Sequence, residues 1–206
     1  MLGSIPAGAR EPGAQEPDAA WPMAAIQRRD LVLPGDSTRP VKLEVVLLTP
    51  PGPGPFPLVI WNHGTAEDDA ARREGRNRSA TFATYYFLSR GYAVAAPSMR
   101  GYGRSGGTPT ESICVSVACG DGNATDILAV LDGLAREPAL DARRVVVAGA
   151  SFGGFNALAT GARGDPRLRA VVNFHGGLRA STRRDWEPLL IEAVRQFGTR
   201  SRVPAL

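Results

Sequence analysis

Val145-Val146-Val147-Ala148-Gly149-Ala150-Ser151-Phe152-Gly153-Gly154 runs a β-branched apolar stretch directly into a glycine-flanked serine. The helical spacing of Phe155, Leu158 and Ala159 follows at once. Such an apolar run reads as a strand buried on both faces. Strand, tight turn and helix in that order are the setting in which a G-x-S-x-G pattern presents a serine hydroxyl at the end of a sheet. Gly149 and Gly153 carry a steric requirement, because side chains beside so sharp a corner would strike the neighbouring strand or helix. Ser151 is therefore the candidate nucleophile. A second match, Gly103-Arg104-Ser105-Gly106-Gly107, lies well beyond the nearest apolar run and leads into Thr108-Pro109, where no helix starts cleanly. Ser105 reads as a loop residue.

Outward from the elbow the chain alternates strand and helix. Residues 41–48 alternate as a half-buried strand, and the Pro-Gly run of residues 50–57 is a turn. Leu58-Val59-Ile60-Trp61 reads as a buried strand, followed by Asn62-His63-Gly64-Thr65 and a polar loop. A helix is expected over about 79–90, closed by Gly91, and then a strand over 92–96. A long irregular segment leads to a helix over about 123–136, with Ile127, Val130, Leu131 and Leu134 on one stripe. A strand at 144–148, the elbow and its helix, and a strand at 170–174 follow. A further helix over 186–197 is expected to stop at Gly198, and Val203-Pro204-Ala205-Leu206 looks like the opening of one more strand. This alternation predicts an α/β architecture, a mostly parallel sheet flanked by helices.

Composition bounds the rest. A chain of 206 residues with 43% hydrophobic content buries one sizeable core. Residues 1–25, rich in Pro, Gly, Ala and Glu, read as a poorly ordered arm, and residues 26–206 as a single domain. The net charge is +4, but the cations are almost all scattered arginines without aromatic interleaving. That pattern argues against a nucleic-acid partner, and the run Arg72, Arg73, Arg76, Arg78 reads as a solvated face. No stretch has the form of a signal peptide or a membrane span. As written, the chain is expected to be cytoplasmic, and exported only if its true start lies upstream.

Cys114 and Cys119, with two histidines elsewhere, assemble no zinc site, so no metal is expected. A local disulfide and two free loop thiols both remain open. Asn77-Arg78-Ser79 and Asn123-Ala124-Thr125 match the glycosylation pattern, which matters only on a secretory route. Gly101, Gly103 and Gly106 spell G-x-G-x-x-G, yet no helix begins there, so no dinucleotide or other cofactor is expected.

Ligands of a parallel sheet collect beyond the carboxyl ends of its strands. Acyl transfer there needs backbone N–H donors aimed at a developing oxyanion, each worth about 3 kcal/mol of barrier. Phe152, directly after the nucleophile, supplies one donor. Thr65 is the candidate for the other, because Gly64 lets the backbone approach closely; a simple chain reversal at His63-Gly64 is the bland alternative.

His63-Gly64-Thr65, Arg100-Gly101-Tyr102-Gly103-Arg104-Ser105-Gly106-Gly107 and Gly149-Ala150-Ser151-Phe152-Gly153-Gly154, in this order, resemble the α/β-hydrolase superfamily. The nearest branch is the dienelactone-hydrolase-like and prolyl-oligopeptidase-like one, over about residues 41–206. The resemblance implies a serine that attacks an ester or amide carbonyl, an oxyanion hole completed by the His-Gly-x loop, and a pocket framed by Tyr102. Dienelactone hydrolases carry cysteine where this chain has Ser151, so the branch and not that substrate is implied. The expected partner is a small ester or peptide-like substrate.

A serine hydroxyl needs a base, itself oriented by an acid. The family's order is Ser, then Asp or Glu, then His, and the chain stops at Leu206, before the strands that would carry the last two. After Ser151 there is only His175, one strand too early, which reads as a pocket-lining or packed residue with a surrogate catalytic role as the sharper alternative. Asp185, Glu187 and Glu192 read as capping or solvated. The expectation is thus a serine hydrolase lacking its C-terminal strands and helices, impaired in this form and prone to self-association through an unpaired sheet edge. A non-catalytic binding protein of the same fold is the alternative.

Overall fold

In a computed structural model the chain is described over residues 25–74, 81–110, 114, 116–177 and 186–206. Six strands, β1 (Gln27–Pro34), β2 (Lys42–Thr49), β3 (Phe56–Asn62), β4 (Ala93–Pro97), β5 (Leu140–Ala150) and β6 (Leu168–Phe174), form one sheet in the order β1-β2-β4-β3-β5-β6. The pairs β4/β3, β3/β5 and β5/β6 are parallel, and the β1/β2 and β2/β4 pairs are antiparallel. Helices α1 (Asp69–Glu74), α2 (Phe82–Leu88), α3 (Val117–Leu134), α4 (Phe152–Gly161) and α5 (Trp186–Arg200) fill the connections.

The apolar runs lie as their patterns require. Along β3, Leu58 and Ile60 face a core built with Ile127, Val130, Leu131 and Leu134 of α3, while Val59 and Trp61 face Phe87 and Leu88 of α2. A strand covered on both faces has no polar side, which is why this sequence shows no alternation. A third cluster, Phe152, Phe155, Ala159, Ala193 and Phe197, joins α4 to α5 and anchors the elbow helix from behind.

Several boundaries differ from the sequence reading. β1 carries only half-buried apolar residues at Leu31 and Leu33, so an edge strand held partly by Arg29–Glu137 (2.6 Å) gave no clear pattern. The helix expected from 123 begins at Val117, capped by the Ser116 hydroxyl on the Cys119 N–H (3.3 Å). Its Gly120 is required there: a Cβ would stand 2.6 Å from the Phe197 ring. α5 runs through Gly198 to Arg200 instead of stopping. Gly91 does close α2, at φ +79°. Residues 79 and 80 lie outside the described residues, as do Arg76, Asn77, Arg78 and Asp185.

Cys114 and Cys119 form a disulfide, which closes that alternative. Asn123 is buried and bonded to Asn156 (3.0 Å), and so is no accessible glycosylation acceptor. Ser105 is a buried staple, donating to the Ser98 carbonyl (2.7 Å) and accepting from the Glu44 N–H (2.9 Å). At the far edge, the Leu206 N–H donates to the Val171 carbonyl (3.0 Å) and the Asn173 N–H to the Leu206 carbonyl (2.8 Å), so residues 204–206 lie parallel beside β6 as an isolated bridge and not as a seventh strand of the described residues. No helix among the described residues is long and apolar enough to cross a membrane.

A buried ion pair ties the loop after β4 to α3. Arg100 meets Asp126 in two bonds (2.6 and 2.8 Å), both side chains about nine-tenths buried, and Asp126 also accepts the Asp36 N–H (2.8 Å). Removing one member leaves the other charged and desolvated, so Asp126→Ala is expected to cost about 3–5 kcal/mol in urea unfolding. Beside it, the Asp36 carboxyl is held down to about 2, chiefly by the Thr38 hydroxyl, with the Thr38 N–H and Arg39 opposing the cost of burial. A carboxyl whose folded pKa is depressed contributes stability that is complete above about pH 4 and lost toward pH 2. The stability gap between the wild type and Asp36→Asn is therefore expected to close over that window.

Candidate active site

β5 delivers the chain to Ser151 at φ +53°, ψ −124°, a left-handed backbone that L side chains rarely adopt. The corner is imposed by crowding. A Cβ on Gly153 would stand 2.0 Å from the Asn62 carbonyl oxygen, and one on Gly149 would stand 2.3 Å from that of Gly153. α4 thus starts with its backbone against the end of β3. Ser151 is exposed at the carboxyl end of the parallel strands, while Phe152 is buried behind it.

The loop after β3 meets this corner. A Cβ on Gly64 would lie 3.2 Å from the Ser151 Cβ and 3.8 Å from its Oγ, so residues 63–65 pass directly beside the nucleophile candidate. Helix N-termini leave their first N–H groups without intrahelical acceptors, and the Phe152 N–H is one of these. Among the described residues, neither the Phe152 nor the Thr65 N–H has an acceptor, and Thr65 is exposed.

His63 is 5% exposed and holds the loop in place. Its Nε2 accepts the Met99 N–H (3.0 Å), and its Nδ1 lies 2.7 Å from the Gly64 carbonyl oxygen. A backbone N–H can only donate, so the proton sits on Nδ1 and passes its bond to Gly64. Tyr102, expected to frame the pocket, is instead fully buried. Its ring lies 4.5 Å from that of His63, and its hydroxyl accepts the Ala66 N–H (3.3 Å), which supports the loop from beneath.

His175 is exposed one residue past β6, at φ +50°. Glu187 lies in the first turn of α5, and Glu192 is bonded along the helix to Arg195 (2.7 and 2.8 Å), which holds its carboxyl down at about 2. Sequence reasoning passed over Asn62, Met99, Asn156 and Asn173. The Asn62 amide donates to the Ala148 carbonyl (3.1 Å), and Asn156, on the elbow helix, reaches Asn123 and the Met99 sulfur. For Asn62 and Asn173, a polar residue at the end of an otherwise apolar strand was the available signal. Among the described residues, no group of His, Cys, Asp and Glu could hold a metal ion.

The family model of the X-Pro dipeptidyl-peptidases (S15 family) matches residues 36–186, which span β2 to the start of α5 and include Ser151, Phe152 and the loop of residues 63–65. The chain belongs to the S15 family. No curated protein matches the chain. Among solved structures, the acetyl xylan esterase of Paenibacillus is 22% identical with a TM-score of 0.59, over 88% of this chain and 65% of that one. The esterase of Pyrococcus furiosus is 20% identical with a TM-score of 0.62, over 96% and 74%. A dienelactone hydrolase-like promiscuous phosphotriesterase from metagenomic libraries is 20% identical with a TM-score of 0.58, over 88% and 82%. At these identities the likeness establishes the α/β-hydrolase fold. This S15 chain spans about two thirds of the Paenibacillus enzyme's length.

The crowding at the elbow is testable. Gly153→Ala must push α4 off β3, so it is expected to lose about 3 kcal/mol or to fail to fold, whereas Gly198→Ala, with open space around it, is expected to fold normally. Chemical denaturation of the two variants makes the comparison.

Proposed function

We propose that the chain is a serine hydrolase that attacks an ester or amide carbonyl through an acyl-enzyme at Ser151. The observation that carries this reading is the approach of Gly64 to Ser151, which sets the two acceptor-free N–H groups, of Thr65 and Phe152, on residues flanking an exposed hydroxyl. Such donors stabilise a tetrahedral oxyanion without reorganising during the reaction. Membership of a peptidase family and the esterase fold agree with carbonyl chemistry. The substrate is proposed to be a small ester or a peptide-like molecule.

The rate is the distinguishing quantity. Among the described residues no side chain accepts the Ser151 hydroxyl, and His63 is engaged elsewhere. That observation favours a second reading, a protein that binds an acyl or peptidyl ligand without turning it over. A fluorophosphonate probe separates the two. The hydrolase reading expects covalent labelling of Ser151, abolished in Ser151→Ala. Turnover of p-nitrophenyl acetate above the buffer rate is likewise expected to be lost in Ser151→Ala. Absence of labelling in the folded protein would favour the binder.

A further inference from the structure

Two aromatic side chains support the loop of residues 63–65, one from each of two neighbouring strand ends. His63 follows β3 and is buried, and Tyr102, in the loop after β4, is buried completely. Their ring centroids are 4.5 Å apart. The motif Arg100-Gly101-Tyr102-Gly103 is what brings the tyrosine there. Gly101 and Gly103 have φ of +73° and +56°, a backbone that glycine adopts without strain. A Cβ on Gly101 would also stand 2.4 Å from the Pro109 ring. The Tyr102 N–H donates to the Met99 carbonyl (3.0 Å) and its carbonyl accepts the Ser105 N–H (2.9 Å), so the chain doubles back on both sides of the tyrosine.

Each ring grips a different peptide unit. Nδ1 of His63 donates to the Gly64 carbonyl oxygen (2.7 Å), which holds the unit between Gly64 and Thr65. The Tyr102 hydroxyl accepts the Ala66 N–H (3.3 Å), which holds the unit between Thr65 and Ala66. Gly54-Pro55 is the one cis peptide bond among the described residues, so both of these units are trans. In a planar trans unit the carbonyl and the N–H point in opposite directions. Fixing the Gly64 carbonyl therefore fixes the direction of the Thr65 N–H. With the planes before and after Thr65 both held, the two soft dihedrals between them are set as well. His63 is braced in turn, since its Nε2 accepts the Met99 N–H (3.0 Å) and the Met99 sulfur accepts the Asn156 amide of the elbow helix (3.1 Å).

We propose that His63 and Tyr102 are positioning residues for the Thr65 N–H, pinning the peptide planes on either side of it so that the donor is aimed before a substrate arrives. The inference rests on Ser151 being the nucleophile and on the Thr65 N–H serving its oxyanion. Both side chains act through the backbone. A donor aimed in advance stabilises developing charge without moving during the reaction, and a misplacement of about 1 Å costs on the order of 10²-fold in rate. The glycine-flanked tyrosine of the loop after β4 thus acquires a role in the chemistry of a loop that belongs to β3.

The test is fluorophosphonate labelling of Ser151 over a range of probe concentrations, which separates the maximal rate from the half-saturating concentration. The proteins are the full-length wild type, His63→Gln, Tyr102→Phe, Ser105→Ala and Ser151→Ala, with melting temperatures read alongside. Glutamine keeps an acceptor for the Met99 N–H and has no donor at the place of Nδ1. Phenylalanine keeps the ring and removes only the hydroxyl. Ser105→Ala removes a different buried hydroxyl of the same loop, bonded to the Ser98 carbonyl (2.7 Å), and controls for lost stability. The maximal rate is expected to fall on the order of 10²-fold in His63→Gln and on the order of 10-fold in Tyr102→Phe, with the half-saturating concentration unchanged. Ser105→Ala is expected to melt at a lower temperature yet label at the wild-type rate. Wild-type maximal rates in both His63→Gln and Tyr102→Phe, or equal slowing in Ser105→Ala, would overturn the inference while leaving the nucleophile in place. Absence of labelling in the wild type, or equal labelling of Ser151→Ala, would instead overturn the nucleophile assignment, and this inference with it.

Discussion

Helix α4 approaches the sheet so closely that no side chain can stand between its first turn and the end of β3. The carbonyls of Asn62 and His63 occupy the space where a Cβ of Gly153 would be. Everything distinctive about the site follows from that contact. It forces the left-handed corner at Ser151, brings the loop of residues 63–65 beside the hydroxyl, and leaves the Phe152 N–H without an acceptor. The contact is steric, so pH and salt do not tune it. It exists only while β3, β5 and α4 are all in place.

Around this corner the molecule is braced by polar bonds. Asn156 reaches from the elbow helix to Asn123 of α3 and to Met99, and the Met99 N–H reaches His63. Arg100 then ties the same loop to Asp126. Buried polar groups of this kind cost stability unless each finds a partner, and when satisfied they permit one arrangement and few others. The loop beside Ser151 is consequently positioned from three elements at once, by His63, Tyr102 and the crowding at Gly64.

How much of this was legible in the sequence depends on whether the determining force was local. β3, β4 and the elbow were readable because burial on both faces leaves a continuous apolar run, and because Gly149 and Gly153 answer to a need within their own turn. β1 was not, since an edge strand with exposed arginines has no face to mark it. The first two turns of α3 fall in what reads as irregular chain, and the need for Gly120 there comes from Phe197, a ring far along the chain that only the fold brings near. Tyr102 was read as a pocket residue from its motif, yet it lies under the loop, because a fixed order of residues in a turn does not state which way a ring points. The candidate nucleophile was evident from the sequence, whereas the company it keeps at β6 was not. Strand adjacency is a property of topology.

The left-handed backbone at Ser151 and His175 has a consequence for how such a chain changes over time. At both codons a glycine would give a backbone under less tension, so selection for a sturdier fold alone favours glycine at each. A lineage in which neither side chain mattered would be expected to drift toward glycine at these two places before its core eroded.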